Sequence, residues 1–380
     1  MKSKHNAVEA NDCAKYEAEI LKTGFPLEYE TARMLREAGW SYISNKFYID
    51  DLEENVREID IVAYKVTHTS NFDVYTVLVV SCKKNDMNAW AVLSRNLDRA
   101  SPNNNLTPVH AWTNDRALKY MMQPIAKWEK VYHDRVRGLG VKEVLSEPTS
   151  DIFAFQEMRK SSGAPDNDKQ IFSSITSLMK AQAYEIDSLG VRKTTPCVYQ
   201  FNLVSVIDTD LVKLNFSDQG IKASSVEYEH YIARYIIKKR EIFSRIIFSR
   251  VGAFPALLED YGRLHAANTK MLSETCSSFY DGVLKDYYRR KVFLKDFINA
   301  AGWELRWEVR IGMGHEIDVE KITLSFNESD DCAIVGVDAP DAAVDILNKS
   351  DRAKKQVKEV LLKLYRYDGP FRFEVDDIPF

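Results

Sequence analysis

Arg57-Glu58-Ile59-Asp60-Ile61-Val62-Ala63 and, after a polar loop, Tyr75-Thr76-Val77-Leu78-Val79-Val80-Ser81-Cys82-Lys83-Lys84 are the residues on which the fold turns. Each half is a short apolar, β-branched segment with charge at one end, the make-up of a strand rather than a helix. Asp60 stands early in the first segment and Lys83 closes the second. Paired side by side, the two strands bring a carboxylate and an ammonium to one edge of a sheet. That juxtaposition suits a divalent cation with a positive charge beside it.

The flanking chain supplies the rest of an α/β unit. Gly24-Phe25-Pro26 punctuates the sequence, and Leu27, Ala32, Met34 and Leu35 recur at helical spacing until Gly39, which predicts a helix over 27–38. A strand is expected over 40–48 and an acidic hairpin turn over 50–55, ahead of Arg57. After Lys84, residues 85–88 turn the chain toward an apolar Trp90-Ala91-Val92-Leu93, and residues 94–116 carry no regular pattern. An amphipathic helix is predicted over 170–186, then strands over 195–207 and 242–251 that enlarge the same sheet.

Asp, a hairpin, and then an apolar strand ending in acid-x-Lys form the signature of the PD-(D/E)xK nuclease superfamily, with its restriction-endonuclease-like fold. This chain resembles the branch written Arg-Glu-Ile-Asp followed by Glu-Cys-Lys-Lys, the motif core covering residues 24–93. It departs from that branch at Ser81, which stands in the acid position. The resemblance implies an α/β architecture with a mixed sheet flanked by helices, and metal-dependent hydrolysis of DNA phosphodiesters of the restriction or defence type. It implies Glu28, Asp60 and Lys83 as catalytic residues, Glu30 being the second choice for the helix acid. Mg²⁺ or Mn²⁺ would be held by Asp60, Glu28 and the carbonyl of Cys82. Lys84, on the other face of its strand, is expected to contact phosphate or solvent. A homodimer is expected where both DNA strands are cut.

Ser81 removes one negative ligand, and a hydroxyl is a poor substitute for it. Some restriction enzymes in the superfamily carry Ser-x-Lys and recruit an acid from elsewhere, and here Glu58, Asp86 and Asp98 are the candidates. The alternative is a nuclease-like fold that has lost catalysis and serves in nucleic-acid binding or assembly. Trp90 could stack on a base, though a Trp within an apolar strand more often lies in a core.

At 380 residues the chain is long enough for about two domains. These are expected over 1–250, nuclease-like, and 251–380, a further α/β module. In the second, a helix, Ala301-Gly302-Trp303, a strand to Val309, Glu316-Ile317-Asp318 and an apolar strand Cys332–Val337 echo the order of 27–83. The module is either a degenerate repeat, with Asp338-Ala339-Pro340 where acid-x-Lys would stand, or unrelated.

Net charge is −4, so any nucleic-acid contact requires a local basic patch rather than a basic protein. Tyr288-Arg289-Arg290-Lys291 is the most basic knot of the C-terminal half. Five scattered cysteines without a Cys-x-x-Cys pair fit a reducing cytoplasm better than a disulfide framework. No run spans a bilayer, and no Gly-x-x-x-x-Gly-Lys loop implies a nucleotide cofactor.

Overall fold

The computed structural model describes residues 13–50, 55–123, 127–314, 316–318 and 321–376. It is an α/β protein in which the chain divides into two compact units, residues 1–115 with 127–271, and residues 116–126 with 272–380. The sequence places a boundary at 250, where a strand ends. The division falls instead between Met271 and Leu272, within the long helix Phe254–Tyr280 (α5). No described helix is long and apolar enough to cross a membrane.

After a helical stretch over 13–20, the first unit continues with α1 (Phe25–Glu37), started by Pro26, whose fixed φ and missing N–H suit a first turn. Strands β1 (Ser41–Ile49), β2 (Val56–His68) and β3 (Asp73–Lys84) follow as an antiparallel meander. Of the acidic turn expected between the first two, residues 51–54 lie outside the described residues. Helix α2 (Lys169–Arg192) then leads into β3's other neighbour, β4 (Cys197–Asp208), which runs parallel to β3 over its whole length. Nearly every β4 side chain is buried, as a strand covered on both faces requires. Strand β5 (Arg240–Arg250) adds in parallel and pairs in turn with antiparallel β6 (Tyr228–Ile237). A short strand at His110–Thr113 completes this seven-stranded sheet by pairing with Val198–Phe201 of β4, ahead of the stretch Leu203–Ile207 that pairs with β5.

Helix α2 closes the main core with Ile171, Ile175, Leu178 and Met179 against Val77, Val79, Phe201 and Leu203. Helix α1 packs on β1, β2 and β3 through Leu27, Ala32 and Leu35. A second, four-stranded sheet is built from Asn88–Asn96, Ser150–Arg159, Leu211–Ser217 and Gly220–Ser225. The expected apolar segment at Trp90 belongs to that sheet, where Trp90 is fully buried edge-on against Phe248, so it is a core residue rather than a base-stacking one.

In the second unit, Tyr287–Met313 forms one continuous helix, α6. The strand expected at Trp303–Val309 is therefore absent, and with it the echo of the first unit. Leu305, Trp307 and Val309 alternate like a strand, but Phe297, Ala301, Leu305 and Val309 recur every four residues and all are buried, so the helical period prevails. The apolar Cys332–Val337 is a strand, flanked by antiparallel Thr323–Asn327 and parallel Phe371–Val375. His315 and Val319, beside the Glu316-Ile317-Asp318 motif, lie outside the described residues. Helices α7 (Asp341–Lys349) and α8 (Asp351–Tyr365) pack on α6.

Candidate functional site

The β2–β3 ladder ends at the pair Ile61↔Val80, yet β2 stays with β1 through Ile59↔Lys46 and Glu58↔Phe47. The two strands thus fork at Asp60. Opposite it, Asn45 drops out of the β1–β2 register with φ 52°, a left-handed conformation that Asn tolerates better than most residues. Nothing in the sequence pattern singles out Asn45 as part of a site, although an Asn within a strand is a signal of irregular backbone.

In the fork, Asp60 Oδ2 accepts the backbone N–H of Cys82 at 2.5 Å, taking the place of the missing β2 backbone. Within a strand a residue's N–H and C=O leave by the same edge, so the Cys82 carbonyl also faces this fork. Lys83 Nζ lies 3.9 Å from Asp60 Oδ2. Both side chains are partly shielded, at 27% and 19% exposure, which leaves an opening for a ligand while limiting solvent screening.

Glu28 reaches the same place from the first turn of α1. Burial, then the charges of Asp60 and Glu58, raise its carboxyl above the usual carboxylate range, and Lys83 opposes them. The structure therefore gathers Glu28, Asp60 and Lys83, with Glu58 near. Glu58 is exposed and accepts Asn45 Nδ2 at 2.6 Å. Thr31, one turn along α1 from Glu28, is buried near the Cys82 thiol. Burial holds that thiol far above its ordinary pKa, so Cys82 offers its carbonyl and not a thiolate.

Other expected residues go elsewhere. Lys84 donates to the Leu21 carbonyl at 2.8 Å and sits 3.7 Å from Asp86, so its ammonium is engaged within the chain rather than presented to phosphate. Asp86 is thereby turned to Lys84, and it lines a hollow of about 220 Å³ with Asp208 and Asp210. Asp98 lies on an exposed loop, its carboxylate accepting the Ala100 N–H. Neither is among the groups acting on Glu28. Glu30 is paired with Arg33 at 3.5 Å.

Ser81 is 1% exposed, and its hydroxyl meets no partner among the described residues. Its strand neighbour Ser205 instead takes a hydrogen bond from Ser174 at 2.8 Å. A hydroxyl buried without an acceptor contributes nothing to offset its desolvation. Ser81→Ala is therefore expected to leave stability unchanged or raise it by up to about 1 kcal/mol. Urea denaturation checks this, and a marked drop in stability would mean that Ser81 has a partner in the folded protein.

No family model, no curated protein and no solved structure matches this chain. The class that the fold defines is an α/β protein with a mixed central sheet and two acids and a lysine at the fork of its antiparallel strands.

Proposed function

We propose that the first unit is a metal-dependent phosphodiesterase acting on DNA, a nuclease of the PD-(D/E)xK kind. The observation that carries this is the 3.9 Å approach of Lys83 to Asp60 at the open fork, with the Glu28 carboxyl near enough to feel both charges. The order helix, three-stranded meander, helix and strand parallel to the third supports the same reading.

The donor set suits a hard divalent cation. Mg²⁺ takes oxygen ligands and keeps several waters, so one or two carboxylates and a carbonyl suffice. Asp60, Glu28 and the Cys82 carbonyl would hold it, and a cation there would offset both the burial and the neighbouring acids that raise the Glu28 pKa. When bound, Mg²⁺ or Mn²⁺ supplies a Lewis acid for the phosphoryl oxygen and lowers the pKa of water. Lys83 would orient the attacking water or offset charge growing on the phosphate, while the Cys82 N–H fixes the Asp60 carboxylate in place.

Purified protein is expected to nick supercoiled plasmid in Mg²⁺ or Mn²⁺ and not in EDTA. Absence of cleavage in either metal, with binding of the cation demonstrated, would remove the proposal. Cation affinity is expected to fall as the pH drops through the raised pKa of Glu28, because the protonated carboxyl is not a ligand. Calorimetric titration with Mn²⁺ should show this dependence weakened in Glu28→Gln. An identical pH profile in that variant would take Glu28 out of the ligand set.

A second reading is favoured by one observation. Among the described residues no three His, Cys, Asp or Glu side chains gather as metal ligands, the third acid being the one that Ser81 replaces. On that reading the domain binds nucleic acid or a partner without cleaving, and the plasmid assay separates the two.

A further inference from the structure

The chain is acidic overall, but its charge is not evenly spread. Helices α6 and α8 together carry eleven Lys and Arg against five Asp and Glu, a net +6 within a chain of net −4. They pack on each other in antiparallel fashion. Ser350 Oγ donates to Glu308 at 2.8 Å, Arg352 pairs with Glu304 at 2.5 Å, Gln356 Nε2 donates to the Ala300 carbonyl at 2.8 Å, and Tyr365 OH donates to the Arg290 carbonyl at 2.8 Å. On α8 the lysines Lys354, Lys355, Lys358 and Lys363 are exposed and take no ion-pair partner among the described residues.

On α6, Trp303 and Trp307 stand one turn apart with their rings nearly parallel, at 11° and 5.8 Å between centroids. They are 61% and 40% exposed, and Ile311, a turn further along, is 67% exposed. Two tryptophans left in solvent on one helix face are costly unless something covers them. The contacts of Arg352 and Gln356 place the α8 row 352, 355, 356, 359 and 363 beside this face, since residues three and four apart share one side of a helix. Lys355 and Lys363 stand on that row, and Arg306 and Arg310, both tied to Glu316, flank the rings on α6.

We infer that this surface is a docking site for single-stranded nucleic acid, Trp303 and Trp307 stacking on bases while the lysines of α8 and Arg306 and Arg310 take the phosphates. Aromatic faces bordered by exposed cations are what a strand with unpaired bases needs. An acidic or purely apolar partner satisfies only one of the two features. The site requires no catalysis at Asp60, so it stands or falls independently of the nuclease reading.

The whole chain in EDTA, titrated with fluorescein-labelled oligothymidylate, tests it by anisotropy and by quenching of tryptophan fluorescence. Binding should weaken steeply with salt, and a Lys355→Glu/Lys363→Glu variant should make the log–log slope shallower by about 0.7 for each phosphate that is no longer neutralised. Trp303→Ala/Trp307→Ala should weaken binding on the order of 10-fold or more at unchanged far-UV circular dichroism, and Trp303→Phe should retain most of it. Unaltered affinity in the double Trp variant overturns the proposal. So does a concentration-dependent dimer that the same variant dissolves, which would make a second copy of the chain the occupant.

Discussion

Lys83→Ala is expected to lower plasmid cleavage on the order of 10²–10³-fold, the usual effect of removing one preorganised charge from a site where charge develops. The geometry makes the effect specific. Among the described residues Lys83 is the cation within 4 Å of Asp60, at 3.9 Å, and its side chain is 27% exposed, so a water molecule or buffer cation replaces it poorly. Asp60→Asn should be as damaging, because the amide keeps the acceptor for the Cys82 N–H but loses the negative charge beside Lys83. Both variants should fold, since Lys83 is the penultimate residue of β3 and Asp60 lies beyond the last β2–β3 pair, Ile61↔Val80, so the apolar pairs of the two strands are untouched. Cleavage at the wild-type rate by Lys83→Ala, measured by the decay of supercoiled plasmid, would refute the role.

The largest effect on stability is expected at Asp260. This α5 carboxylate has no solvent exposure, and it accepts the backbone N–H groups of Lys142 at 3.3 Å, Glu143 at 2.8 Å and Val144 at 2.9 Å, with Arg263 Nε at 2.8 Å. It therefore binds the 142–144 segment to the helix and satisfies three consecutive backbone donors at once. Asp260→Ala should cost about 3 kcal/mol or more, since each buried donor left unpaired costs ~1–3 kcal/mol. Burial would raise the pKa of this carboxyl, but the hydrogen bonds from Val144, Arg263, Lys142 and Glu143 outweigh it and hold it below the ordinary value. A carboxylate depressed in the folded state contributes its full stabilisation above the unfolded pKa, about 3.9 for Asp, and loses it as the pH falls through the folded value. Urea titrations at neutral and acid pH should thus show a wild-type loss on the acid side that Asp260→Asn flattens. Equal acid sensitivity in the two proteins would assign the carboxylate no such role.

Much of the framework around the fork is readable in order along the chain. Helix α1, strands β1 to β5 and helix α2 all appear where apolar period and punctuation place them, because each carries a pattern that its own neighbours in sequence create. The departures are of two kinds. The continuous helix through Trp303 reads as a strand because Leu305, Trp307 and Val309 satisfy a two-residue period, while Leu305 and Val309 with Phe297 and Ala301 satisfy a four-residue period as well. The division at Met271 rather than Arg250 is invisible in the sequence because the chain there is a helix without a break.

Sequence alone determined the α/β class and the strands that carry Asp60 and Lys83, which are local matters of composition and spacing. Only the tertiary structure decided that Glu28 arrives at the same carboxylate and that Asp86 and Asp98 do not. It also decided that Lys84 turns to Leu21, and that eleven scattered basic residues of α6 and α8 share one packed pair of helices. The reason is physical: strand and helix periods are set by neighbours a few residues apart, whereas the meeting of charges depends on which faces are buried against which. That is settled by packing over separations that no local pattern encodes.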